Sequence, residues 1–195
     1  MTNLLKALFA LLCVCLFVAS CSNGKIASVE EEQEPEAKIM NDSIQGSFLD
    51  VKFGDLEEDV KANFLKIGLQ SDDGQVYNSR KGKSISFGDL SWDYLIVLYH
   101  NGKLSQIIFC KGYDDKTAAL SDYDARYNTF SKQYTFTDED LHGFDIKSAI
   151  AEGKDGRFAT LDCVSYESDE VMHEHNYYVN IAFVDGNIAS ESMSE

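Results

Sequence analysis

Two imidazoles two positions apart, His173 and His175, flank Glu174 in a chain that holds four histidines. On an extended segment, positions i and i+2 share a face, so both rings can converge on one metal ion. Glu167, Asp169 and Glu170 lie near enough in sequence to add a carboxylate oxygen, which supports a metal-binding or metal-dependent hydrolytic reading. No third histidine or cysteine falls at a familiar ligand spacing, and the segment joins two strand-like runs. A solvated hairpin loop therefore fits it better. As a loop, Glu167, Asp169, Glu170 and Glu174 would suit a partner's basic cleft. Cys110 and Cys163 sit in the strand-like runs Ile107–Cys110 and Leu161–Val164, and two cases stay open for them. Neighbouring strands could bring them into a disulfide, or each could be a separate buried thiol. Neither Asp72-Asp73-Gly74 nor Asp138-Glu139-Asp140 has the alternating oxygen ligands of a calcium loop. The chain also lacks G-x-S-x-G, a phosphate-binding glycine loop and H-E-x-x-H. The expectation is a non-enzymatic protein without a cofactor.

The remaining residue with a chemical role is Cys21. Lys6 opens the first segment, the uninterrupted apolar run Ala7 to Ala19 follows, and Ser20 precedes the cysteine. That run, about 13 residues or roughly 20 Å as a helix, is too short to cross a hydrocarbon core of ~30 Å. A basic start, a short apolar stretch and small residues at its end describe a secretory signal. Val18-Ala19-Ser20-Cys21 further resembles the lipobox of bacterial lipoprotein precursors. That resemblance implies cleavage before Cys21, its diacylation, and a protein held in the cell envelope by its lipid, most simply at the outer membrane.

With 33 acidic residues against 17 basic ones, the chain carries a net charge of -16. Nucleic-acid binding needs Lys and Arg to displace counterions from phosphates, so so acidic a chain argues against it. Docking on anionic lipid by charge is disfavoured for the same reason, which leaves the acyl chains as the membrane contact. The partner expected in the envelope is another protein, with a glycan or a peptide as the alternative.

Periodicity divides the chain into a signal at 1–20, a lipidated acidic tether at 21–46, one domain at 47–190 and a disordered tail at 191–195. The tether holds the only proline, Pro35. Phe48–Phe53 reads as a strand, and Asp55 with Glu58 forms a capping-box pattern. Leu56, Val60, Phe64 and Ile67 then recur at helical spacing up to Gly68. Short strands are expected near Gln75–Asn78 and Ser84–Phe87. Trp92–His100 and Lys103–Cys110 flank Asn101-Gly102, a strong hairpin signal because both turn positions need positive φ. Asp114 or Asp115 can cap a helix running to Tyr134 with Leu120, Tyr123, Tyr127, Phe130 and Tyr134 on one stripe. A short helix is expected near Ile146–Ala151. Arg157–Tyr166 and Asn176–Val184 read as strands, the second with Tyr177, Val179, Ile181 and Phe183 on one face and Asn180 and Ala182 on the other.

The order predicts an α+β fold, an antiparallel meander sheet with two main helices packed on one face. Phe53-Gly54-Asp55-Leu56-Glu57-Glu58-Asp59-Val60, the helix end at Gly68 and the hairpin Asn101-Gly102-Lys103-Leu104 are similar to small secreted bacterial modules. These are the β-lactamase-inhibitor-like and outer-membrane assembly-lipoprotein types, and the likeness implies a binding scaffold. The functional expectation is a lipid-anchored, non-catalytic binding domain of the envelope. Its alternatives are a metal protein using His173 and His175, and a structural component of envelope assembly.

Overall fold

The computed structural model describes residues 39–79, 83–141, 143–167 and 174–190. In chain order the elements are β1 (Ser47–Phe48), β2 (Val51–Lys52), α1 (Glu57–Lys66), β3 (Leu69–Gln70), β4 (Val76–Ser79), β5 (Ile85–Phe87), β6 (Leu90–Trp92), β7 (Tyr94–His100) and β8 (Lys103–Tyr113). There follow α2 (Lys116–Phe130), β9 (Thr137–Asp138), β10 (Asp145–Glu152), β11 (Arg157–Ser165), β12 (Tyr177–Asp185) and the single turn α3 (Gly186–Ala189). Eight strands form one sheet in the order β3-β4-β7-β8-β12-β11-β10-β9, every neighbouring pair antiparallel. This is the expected α+β class. The sheet is two meanders, each preceded by a helix, that meet along β8 and β12 with their last strands side by side.

Register assigns each side chain to a face, because directly paired residues point the same way. One face carries Leu95 and Val97 of β7, Ile107 and Phe109 of β8, Ile181 and Phe183 of β12, and Leu161 of β11, all fully buried. Both main helices lie on it: Phe64 of α1 meets Tyr77, and Phe130 of α2 meets Phe183. The two ribbons β1–β2 and β5–β6 fill the space between, with Phe48 against Phe183 and Phe87 stacked on Phe109 at 4.1 Å. Each such side chain contributes about 1.5–3 kcal/mol by leaving water, so this layer dominates stability.

Arg126 is the exception in that layer. At 2 % exposure it lies 3.7 Å over the Trp92 ring, pairs with Asp122 and donates to the Ser91 carbonyl. It joins α2 to the β5–β6 ribbon. The aromatic stripe expected on α2 is therefore interleaved with a buried cation that periodicity assigns to solvent.

Several boundaries move. Residues 41–46 belong to the fold and not to the tether: Asn41 bridges Gly153 and Ile44 is 2 % exposed. Phe48–Phe53 is a hairpin and not one strand, because Leu49 (φ 47) and Asp50 (φ 67) reverse the chain. Asp55 does not cap α1; its Oδ2 accepts from the Lys52 amide at 2.9 Å and closes that same loop. The helix starts at Glu57 behind Leu56, which offers no capping side chain. Asp115 does cap α2, accepting from the Ala118 amide at 2.8 Å, and the helix stops at Phe130, short of Tyr134. The helix expected near Ile146–Ala151 is strand β10, held between β9 and β11 by pairing that local propensity does not encode. At Asn101 (φ 49) and Gly102 (φ 73) the hairpin has the expected turn.

Candidate functional site

His175 lies in the β11–β12 connection, just before β12, and is held by Asp114 and by Tyr178 of β12. Its Nδ1 lies 2.9 Å from Asp114 Oδ1, just before α2, and its backbone N–H donates to the Tyr178 hydroxyl at 3.1 Å. The ring lies over Gly112: a Cβ there would fall 2.1 Å from Cδ2 and 2.9 Å from Nε2. Gly112 thus makes room for the imidazole, which spends Nδ1 on the Asp114 carboxylate. Glu174 and Glu167 are exposed. Hydrogen bonding to the Glu167 carboxylate pushes the Tyr177 phenol up to about 12. His173, Asp169 and Glu170 lie outside the described residues, as do Cys21 and its lipobox. Among the described residues no group of three or more His, Cys, Asp or Glu side chains could hold a metal ion.

The disulfide kept open from sequence does not form. Cys110 and Cys163 are free, buried thiols. Cys110 pairs with Asn180 and Cys163 with Val179, so β12 stands between them and they point to opposite faces. Burial pushes both thiols up, Cys163 to about 12, which leaves them protonated and unreactive.

The second face of the sheet brings together residues that the sequence kept apart. Among the described residues no helix packs on it, yet it is not a polar, solvated surface. Ile96 and Leu98 of β7, Ile108 and Cys110 of β8, Ala182 and Val184 of β12, and Val164 of β11 line it, all buried or partly buried. At one end Tyr94, Tyr178, Tyr166 and Phe144 form a chain of aromatic contacts with ring centroids 5.1–6.2 Å apart.

A polar island interrupts the apolar surface. Asp162 of β11 pairs in register with Ser148 on one side and Asn180 on the other. Ser148 Oγ donates to Asp162 Oδ1 at 2.6 Å, and Thr160 Oγ1 donates to Oδ2 at 2.8 Å. Burial pushes the Asp162 carboxyl up to about 7; the two hydroxyls pull it down without offsetting that, and Asp145 and Glu139 raise it further. Asn180 Oδ1 is buried and accepts no hydrogen bond. Two signals for this island were present in the sequence, the alternation that sets Asn180 opposite Ile181 and the placement of Asp162 between Leu161 and Cys163. Which strands would be neighbours was not.

No protein-family model, curated protein or solved structure matches the chain.

Proposed function

We propose that the chain is a lipoprotein of the bacterial cell envelope, anchored through acyl chains on Cys21, which works by binding a protein partner and not by catalysis. The observation that carries the binding reading is the second sheet face, on which no helix packs among the described residues. A sheet packed by helices on one side ordinarily shows water a polar second side. Here that side holds Ile96, Leu98, Ile108, Ala182 and Val184 in a continuous register. Ala182 and Val184 are buried among their neighbours, while Ile96, Leu98 and Ile108 are partly exposed, and a contiguous apolar surface of this kind marks an interaction site. Its charge narrows the partner: the residues that β10, β11 and β12 turn toward this face include Asp145, Asp162 and Glu152 and no Lys or Arg. A protein surface that is apolar at its centre and basic around it is complementary.

The test places a photo-crosslinking amino acid at Ile96 in the full chain, in bacterial cells, with Ser121 on the outer side of α2 as the control position. The expected result is a discrete protein adduct from Ile96 and none from Ser121. Absence of adducts, or the same adducts from both positions, overturns the binding reading, whereas an adduct to an outer-membrane barrel assigns the partner to envelope assembly. The anchor is tested separately by labelled palmitate and by Cys21→Ser. No label in the parent, or undiminished membrane retention of the variant, removes it.

A further inference from the structure

Two successive rows of side chains on the second face dip at their middle. Register aligns Ile96, Ile108, Ala182, Thr160 and Ile150 in one row, and Gln106, Val184 and Phe158 in the next. In each row β12 supplies a side chain shorter than those beside it. Ala182 and Val184 are 6 % and 4 % exposed, whereas the other six are partly exposed. A shallow apolar groove therefore follows β12. Its flanking strands, β8 and β11, are two strand spacings apart, about 10 Å, which is the width of a helix with its side chains. From Tyr178 to Val184 the floor runs roughly 20 Å, the length of a helix of about 13 residues. The acidic residues turned to this face, Asp145, Glu152 and Asp162, all lie on the β10–β11 side, while β7 and β8 turn Ile96, Leu98, Gln106 and Ile108 to it.

We propose that the groove along β12 docks an amphipathic α-helix of the protein partner, apolar where it meets β12 and carrying Lys or Arg on the side toward β10 and β11. The proposal rests on the second face being the binding surface and adds the conformation of what binds there. Backbone chemistry selects the helix. Strands β8, β12 and β11 each have a hydrogen-bonded neighbour on both sides, so the face offers an incoming chain few backbone partners. An extended segment laid on it would bury its own N–H and C=O groups unpaired, whereas a helix arrives with them bonded internally. A second copy of this sheet face would also arrive satisfied. It would bring the acidic residues of both copies into one desolvated interface, which like charge opposes. The acidic side acts through its charge, so the basic residues need no buried contact.

The full chain carries a photo-crosslinking amino acid in bacterial cells at Ile96 or, separately, at Ile150, one on each side of the groove, and mass spectrometry locates the attachment points. The expected result is that both positions reach one partner segment at residues three, four or seven apart. Asp145→Lys combined with Glu152→Lys should lower the adduct yield about fivefold or more. Asp72→Lys combined with Glu58→Lys, the same change of net charge at exposed positions on other elements, should leave it within about twofold. Ala182→Phe raises the floor of the groove without touching charge and should also cost about fivefold. Attachment points two residues apart, adducts to this chain itself, equal losses from both charge pairs, or an unchanged yield in Ala182→Phe overturns the proposal. The two readings fail differently. A partner adduct without helical spacing leaves the face a docking surface and removes the helix, whereas no adduct from either position removes both.

Discussion

An ordinary aspartate is fully ionised at neutral pH, but burial between β10 and β12 brings the Asp162 carboxyl up to about 7. Its pKa is raised above the unfolded value near 3.9, so the folded protein binds the extra proton between roughly pH 4 and 7. The stability this group contributes is complete below that window and lost as pH rises through it. Asp162→Asn, which removes the charge and keeps the shape, should therefore leave the protein more stable than the parent at pH 8, on the order of 2–4 kcal/mol, and close to equal at pH 4. Urea unfolding at the two pH values measures it. An unchanged difference across the window would mean that Asp162 is solvated and not desolvated by its neighbours. A side chain that lowers the stability of its own fold is commonly kept for binding.

Among the elements, the Asn101-Gly102 hairpin was the most legible, because the requirement for positive φ at both turn positions is local and chemical. Gly102 has no atom within 4 Å of where a Cβ would stand, so Gly102→Ala meets no clash and tests conformation alone. It should lower stability by about 1–2 kcal/mol, read as a shift of the urea midpoint at constant slope. The β1–β2 turn was invisible for the same physics applied in reverse. Leu49 holds positive φ although its residue type disfavours it, while Asp50 tolerates it, and the reversal is held by Phe48 packing on Phe109 and Phe183 together with the Asp55 carboxylate on the Lys52 amide. Ser148-Ala149-Ile150-Ala151 suits helix or strand locally, so the expected helix is strand β10. Pairing along both its edges decides the matter.

At the scale of the molecule, a net charge of -16 sets up a long-range field, and β10–β12 turn Asp145, Glu152 and Asp162 to the second face but their Lys147 and Arg157 to the other. Association with a basic partner should then be steered by charge. Its rate constant should fall about tenfold or more between 20 mM and 500 mM salt while the dissociation rate changes little, measured by surface plasmon resonance with the crosslinked partner once isolated. A salt-independent association rate would show that apolar contact alone governs docking.

By itself the sequence determined the class of fold, the helix on Val60 and Phe64, the hairpin, and the inward face of β12, since each follows from residues a few positions apart. The proposed lipid anchor at Cys21 also rests on the sequence alone, since it is read from adjacent residues and needs no fold. Only the tertiary structure decided that β8 lies against β12, that Cys110 and Cys163 face away from each other, and that Ser148, Asp162 and Asn180 meet on the sheet face opposite α1 and α2. Those residues come from three strands, and strand order depends on how two meanders close around a common core. That closure is settled by the burial of aromatics such as Phe109 and Phe183 from distant parts of the chain, which no local pattern encodes.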